Sequence, residues 1–136
     1  MTQLERYGML LARVFLALIF LWAGLGKIGN FEGSQALMAS RDMPTTMPLL
    51  LATIVVEIGG GLSVLLGYKA RLGALLLFLF LVPATLIFHT ALGGSFPPEQ
   101  VRLQQAMTLK NLAIMGGLLA IAVHGPGSFS LDSRGM

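Results

Sequence analysis

The sequence predicts an all-α membrane protein: four transmembrane helices in an antiparallel bundle, with a short interfacial helix between the first and second. Three observations lead there. Four apolar stretches, Gly8–Ile28, Met47–Gly67, Arg71–Leu92 and Gln105–His124, each approach the roughly 20 residues that a helix needs to cross a bilayer. Only 11% of the 136 residues are charged while 55% are hydrophobic, where a soluble domain carries about 25% charge. Mean hydropathy is +0.80. A chain of this length is a single domain, residues 1–136.

The first stretch is longer than the apolar region of a signal peptide and lacks a small-residue cleavage site, so it reads as a retained helix. Arg13, Ala17, Phe20, Gly24 and Lys27 recur at 4-3-4-3 spacing. They therefore share one face, polar at its ends and small between. Trp22 suits an interfacial anchor. Asn30 reads as a cap, and Phe31–Arg41 as a short helix on the membrane surface. Pro48 falls in the first turn of the second helix, where proline is tolerated.

Glu57 lies at the midpoint of that second helix, followed by Gly59-Gly60-Gly61. A central acidic residue costs roughly 2.5–3.5 kcal/mol on insertion scales, so it is expected to face a partner or water. Gly60 and Gly61 share its face and can serve close helix packing or leave space for a ligand. Tyr68-Lys69-Ala70 reads as a tight turn that makes helices two and three antiparallel neighbours. Pro83 interrupts the third helix's hydrogen bonding, and His89 follows near its far end. Gly93–Gln100 reads as a loop. In the fourth helix Lys110, Ala113, Gly117, Ala120 and His124 form a second small face with polar ends. Gly125-Pro126-Gly127 ends it, and Ser128–Met136 reads as a short polar tail.

Lys and Arg counts place Arg6, Arg13, Lys69, Arg71 and Arg134 at the end bearing both termini. Lys27, Arg41, Arg102 and Lys110 lie toward the other end. Because Lys27 and Lys110 fall within helices, the bias predicts cytoplasmic termini. At about 1.5 Å per residue, Lys27, His89, Lys110, Asn111 and Gln105 stack above Glu57, with Arg13 below it. Three readings follow. Glu57 pairs with Arg13 or Lys110 to fix helix register; or the group lines a pocket for a small polar or quinone-like molecule; or it meets a partner within the membrane. In the pocket reading Glu57 and His89 exchange protons, and Arg13, Lys27, Lys110 and Asn111 bind the ligand.

Other chemistries find little support. The basic residues are scattered, which argues against nucleic acid. The chain has no cysteine, which excludes thiol chemistry and iron–sulfur ligation through its own thiolates. Its two histidines fall near opposite ends of the bundle and cannot share a metal or haem. The eight methionines read as packing residues.

The ordered pieces resemble the DoxX family of small bacterial membrane proteins. They are Arg13 with Phe20 and Ala23-Gly24-Leu25-Gly26-Lys27; Glu57 with Gly59-Gly60-Gly61; Gly67 before a basic turn; and His89. Lys110-Asn111, Gly116-Gly117-Leu118-Leu119, Gly125-Pro126-Gly127 and Ser130-Leu131-Asp132 complete the series. The resemblance implies a four-helix protein of the bacterial inner membrane. Through members linked with thiosulfate:quinone oxidoreductase and with oxidative-stress proteins, it also implies a membrane subunit or partner of oxidoreductases, with a noncovalent quinone as the redox group. Two other classes fit the chain: a non-catalytic scaffold with a packed core, and a small-molecule carrier, for which a homodimer would supply the second half that this chain lacks as an internal repeat.

Overall fold

The computed structural model describes residues 1–44, 46–90 and 95–134. They form six helices: α1 Gln3–Gly29, α2 Phe31–Ser40, α3 Thr46–Leu66, α4 Ala70–His89, α5 Pro98–His124 and α6 Leu131–Arg134. Four of them, α1, α3, α4 and α5, are long and apolar enough to cross a membrane. They run up and down in chain order. Both termini lie at one end, the terminal face, and α2 lies at the other. α1 packs along α3, α3 along α4 and α4 along α5, while α1 and α5 meet only lightly. The outward side chains are large and apolar, among them Leu11, Phe15, Leu18 and Trp22 of α1, as expected where the solvent is lipid.

Two predicted boundaries move. α1 starts five residues before Gly8, because Thr2 and Glu5 form a reciprocal capping box that satisfies two otherwise orphaned amides. α5 starts at Pro98 rather than Gln105. The Pro97-Pro98 pair, read as loop, instead opens the helix, since a missing N–H costs nothing in the first turn. Gly93-Gly94 and the last two residues of the predicted third helix, Ala91 and Leu92, lie outside the described residues.

The α1 face read from spacing is the buried one: Arg13, Ala17, Phe20 and Gly24. On α3 the buried row is Leu50, Ile54, Glu57, Gly60, Gly61 and Val64. A Cβ on Gly60 would fall 2.7 Å from Leu77 Cγ, and one on Gly61 3.0 Å from the end of Leu21. These glycines are filled by neighbouring leucines, so they serve close helix approach and leave no room for a ligand. The small-residue face of α5 is not its most buried one. Ala113, Ala120 and His124 point outward, and Asn111, Leu118 and Ile121 are buried instead. An amide carried into a bundle must be hydrogen-bonded inside it, and that requirement sets the rotation of α5.

The C-terminal segment is a packed element and not a loose tail. Gly67, at φ +67°, ends α3 in a left-handed turn closed by Tyr68 N–H donating to Ser63 O at 3.0 Å. The Asp132 carboxylate accepts from Lys69 N at 2.7 Å and Ala70 N at 2.9 Å, capping α4 from a distant part of the chain. Asp132 N–H donates back to Gly67 O at 2.8 Å. The ring of Tyr7 lies against that of Phe129, with centroids 5.3 Å apart.

Gly67 therefore meets two demands at once. Its backbone is left-handed, and a Cβ there would overlap Ser130. Gly67→Ala is expected to destabilise the protein by more than about 1 kcal/mol, seen as a lower thermal midpoint in detergent with helix content retained below the transition.

Candidate functional site

Glu57 is only 2% exposed. Its position follows from the packing of α1 on α3. A Cβ on Gly24 would lie 3.4 Å from Glu57 Cβ, which sets Glu57 level with the last turns of α1. One turn beyond Gly24 on the same face, Lys27 reaches over, and its Nζ lies 2.7 Å from Glu57 Oε1. The expected register pair thus exists, but its cation is Lys27 and not Arg13 or Lys110. The pair is lopsided. The Lys27 side chain is 31% exposed and that of Glu57 only 3%.

Arg13 belongs to a separate site. It is 1% exposed and stands toward the terminal face. Its Nη1 donates to Pro126 O and Phe129 O, both at 2.8 Å, and its Nη2 to Leu65 O at 3.2 Å. Leu65 is in the last turn of α3, whose carbonyls lack intrahelical partners and carry the negative end of the helix dipole. Carbonyl dipoles hold this guanidinium, and it ties α1 to α3 and to the C-terminal segment. It does not join the group around Glu57.

Above Glu57 the bundle is hollow. An open cavity of about 660 Å³ lies among the α2-side halves of the helices, within the range of small-molecule sites. Phe20, Phe80 and Phe88 contribute aromatic walls. Lys27, Glu57, His89, Lys110 and Asn111 all line it, so five of the six residues expected to form the polar core surround one space. His89 Nδ1 is 2.7 Å from Gln104 Oε1. The buried Asn111 donates from Nδ2 to Thr85 Oγ1 at 2.9 Å. Thr108 Oγ1 donates to His89 O at 3.0 Å, which ties α4 to α5 at the level of the histidine. Lys110 is exposed along the cavity edge. Arg41, at the end of α2, lies over the Phe96 ring at 4.5 Å and lines the same space.

Gln105, expected in the stack, points outward, and its neighbour Gln104 takes the place. Thr85, Gln104 and Arg41 were not singled out from the sequence. Spacing offered a signal for two of them. Gln104, Thr108 and Asn111 recur at 4-3 spacing and Thr85 and His89 at 4, so two polar rows face each other across α4 and α5. Arg41 carried no such signal, because its place depends on how α2 folds back.

Comparisons with known proteins identify a family and two inner-membrane relatives. The DoxX family model matches residues 8–90. Inner membrane protein YqjF of Escherichia coli (strain K12) is 36% identical over 132 residues, covering 97% of this chain and 95% of that protein. Inner membrane protein YphA of the same strain is 30% identical over 129 residues, covering 93% and 89%. No solved structure matches.

The unequal burial of the ion pair sets the order of two variants. Lys27→Met strands a carboxylate inside the bundle, and breaking such a pair costs about 3 kcal/mol or more. Glu57→Gln leaves a lysine that can swing to water and is expected to cost markedly less. Thermal unfolding of the two variants and the double variant in one lipid environment measures both terms and their coupling.

Proposed function

The chain belongs to the DoxX family, and on that footing we propose that it is an inner-membrane protein that seats a quinone-type ligand in the α2-side cavity and supports quinone-linked oxidoreduction by a partner enzyme. The observation that carries this reading is the buried Glu57, paired with the part-exposed Lys27, in the wall of an open, largely apolar cavity of about 660 Å³. A packed core throughout would have suited the scaffold alternative better. The relatives' names, both inner membrane proteins, support the location. The basic residues Arg6, Lys69, Arg71 and Arg134 at the terminal face support cytoplasmic termini.

The residues suit such a ligand. A quinone has a flat ring, two carbonyl acceptors and an apolar tail. Phe20, Phe80 and Phe88 offer surfaces for the ring. Lys27, His89 and the second amide N–H of Asn111 offer donors for its oxygens. A bound quinone would supply the redox chemistry, accepting two electrons from the partner and two protons from its surroundings. The chain's part is to bind, orient and handle protons. Glu57 and Lys27 hold a proton between them at the inner wall of the cavity. His89, held by Gln104 near the α2 end, stands on the route toward the aqueous side. Asn111, fixed by Thr85, is a rigid positioning group.

Binding of a radiolabelled short-chain ubiquinone to the protein in lipid nanodiscs tests the proposal. Saturable binding by the wild type is expected, roughly tenfold weaker in Glu57→Gln and unchanged in Trp22→Phe, whose side chain faces outward at 79% exposure. If the folded wild type shows no saturable binding, the ligand reading fails and the ion pair is a packing device.

A further inference from the structure

A second concavity of about 660 Å³ lies at the terminal face, between the α3–α4 turn and the C-terminal segment. It plays no part in the quinone proposal. Its ionisable side chains are Lys69, Arg71, His124 and Asp132, and the N-terminal Met1 also lines it. The acidic member is already engaged, since its two oxygens accept from Lys69 N and Ala70 N. The cations are differently placed.

Arg71 is held in position by its own hydrogen bonds. Its Nη1 donates to Val123 O at 2.5 Å and Ala122 O at 3.5 Å, two carbonyls in the last turn of α5. Its Nε and Nη2 lie beside Gly125, where a Cβ would be 3.3 Å and 3.1 Å from them. Among the described residues these two nitrogens take no acceptor. The guanidinium is therefore half-used, tied to the end of α5, and part of the concavity's lining. Lys69 and His124, both exposed, flank it.

The site adjoins an apolar surface. The apolar run of α4 begins at Leu72, which lines the concavity and is 54% exposed. Leu75, Leu76 and Leu79 continue an exposed stripe up the outside of the bundle. A ligand here meets basic donors at one end and a lipid-facing apolar track at the other.

We propose that this concavity seats the headgroup of an anionic phospholipid, with the phosphate against Arg71 and Lys69 and the acyl chains along the leucine stripe of α4. Arginine held with free N–H groups suits a phosphate, and basic pockets between transmembrane helices commonly take anionic headgroups. The continuity with the leucine stripe favours a lipid over a free phosphate.

Native mass spectrometry of the full chain, released from micelles titrated with phosphatidylglycerol or phosphatidylcholine, tests this. The expected result is one retained phosphatidylglycerol per protein, with about tenfold preference over phosphatidylcholine. Arg71→Gln and Lys69→Gln should each reduce that preference several-fold, while Arg102→Gln, at the opposite end of the bundle, leaves it intact. Because Arg71 also braces α5, Lys69→Gln carries the test if Arg71→Gln unfolds early. Equal retention of the two lipids, or equal loss in Arg102→Gln and Lys69→Gln, overturns the proposal. Displacement of the lipid by millimolar inorganic phosphate overturns the lipid assignment in favour of a free anion.

Discussion

A charge placed in lipid must find its partner inside the protein, because the solvent offers none. Among the described residues two charged side chains are buried, Arg13 and Glu57, and each shapes one half of the molecule. Arg13 draws the last turn of α3 and the segment after α5 onto α1. Glu57 draws in Lys27 and fixes the register of α1 on α3. The two solutions differ in kind. Arg13 is enclosed and held by carbonyl dipoles, whereas Glu57 is paired with a part-exposed lysine beside open space.

That difference matches the distribution of packing. The core built from Ala17, Val64, Ala74, Leu77, Leu118 and Ile121 fills the terminal half. On the α2 side a smaller cluster, Met38, Leu50 and Ile54, joins α2 to α3 and leaves the middle empty. The light contact between α1 and α5 makes their seam the loosest in the bundle. The dense half therefore acts as a rigid base, and the polar groups of the hollow half are set on helices whose other ends are immobilised. A binding wall is more precisely defined on such a base than on loops.

Much of this was legible from spacing. The helices of the bundle, the buried faces of α1 and α3 and the grouping of Lys27, Glu57, His89, Lys110 and Asn111 all follow from periodicity and depth. The rotation of α5 did not, because small residues are equally at home against a helix or against lipid, and only the need of Asn111 for Thr85 breaks the tie. The choice of Lys27 as partner was hidden for a related reason. Depth counted along an ideal helix ignores the reach of a lysine and the close approach allowed at Gly24. The role of the C-terminal segment was least legible. Asp132 looks like an ordinary tail residue until the chain folds back and brings it to the start of α4.

The clasp between Arg13 and the C-terminal segment has a consequence for how the protein is made. Arg13 and its acceptor at Phe129 are 116 residues apart. At translation rates of 5–20 residues per second, roughly ten seconds separate their synthesis. For much of that interval Leu65 O is the one of Arg13's three carbonyl acceptors that has been made, and those at Pro126 and Phe129 are still to come. The anchoring of α1 is therefore finished only by a segment made after the last membrane helix.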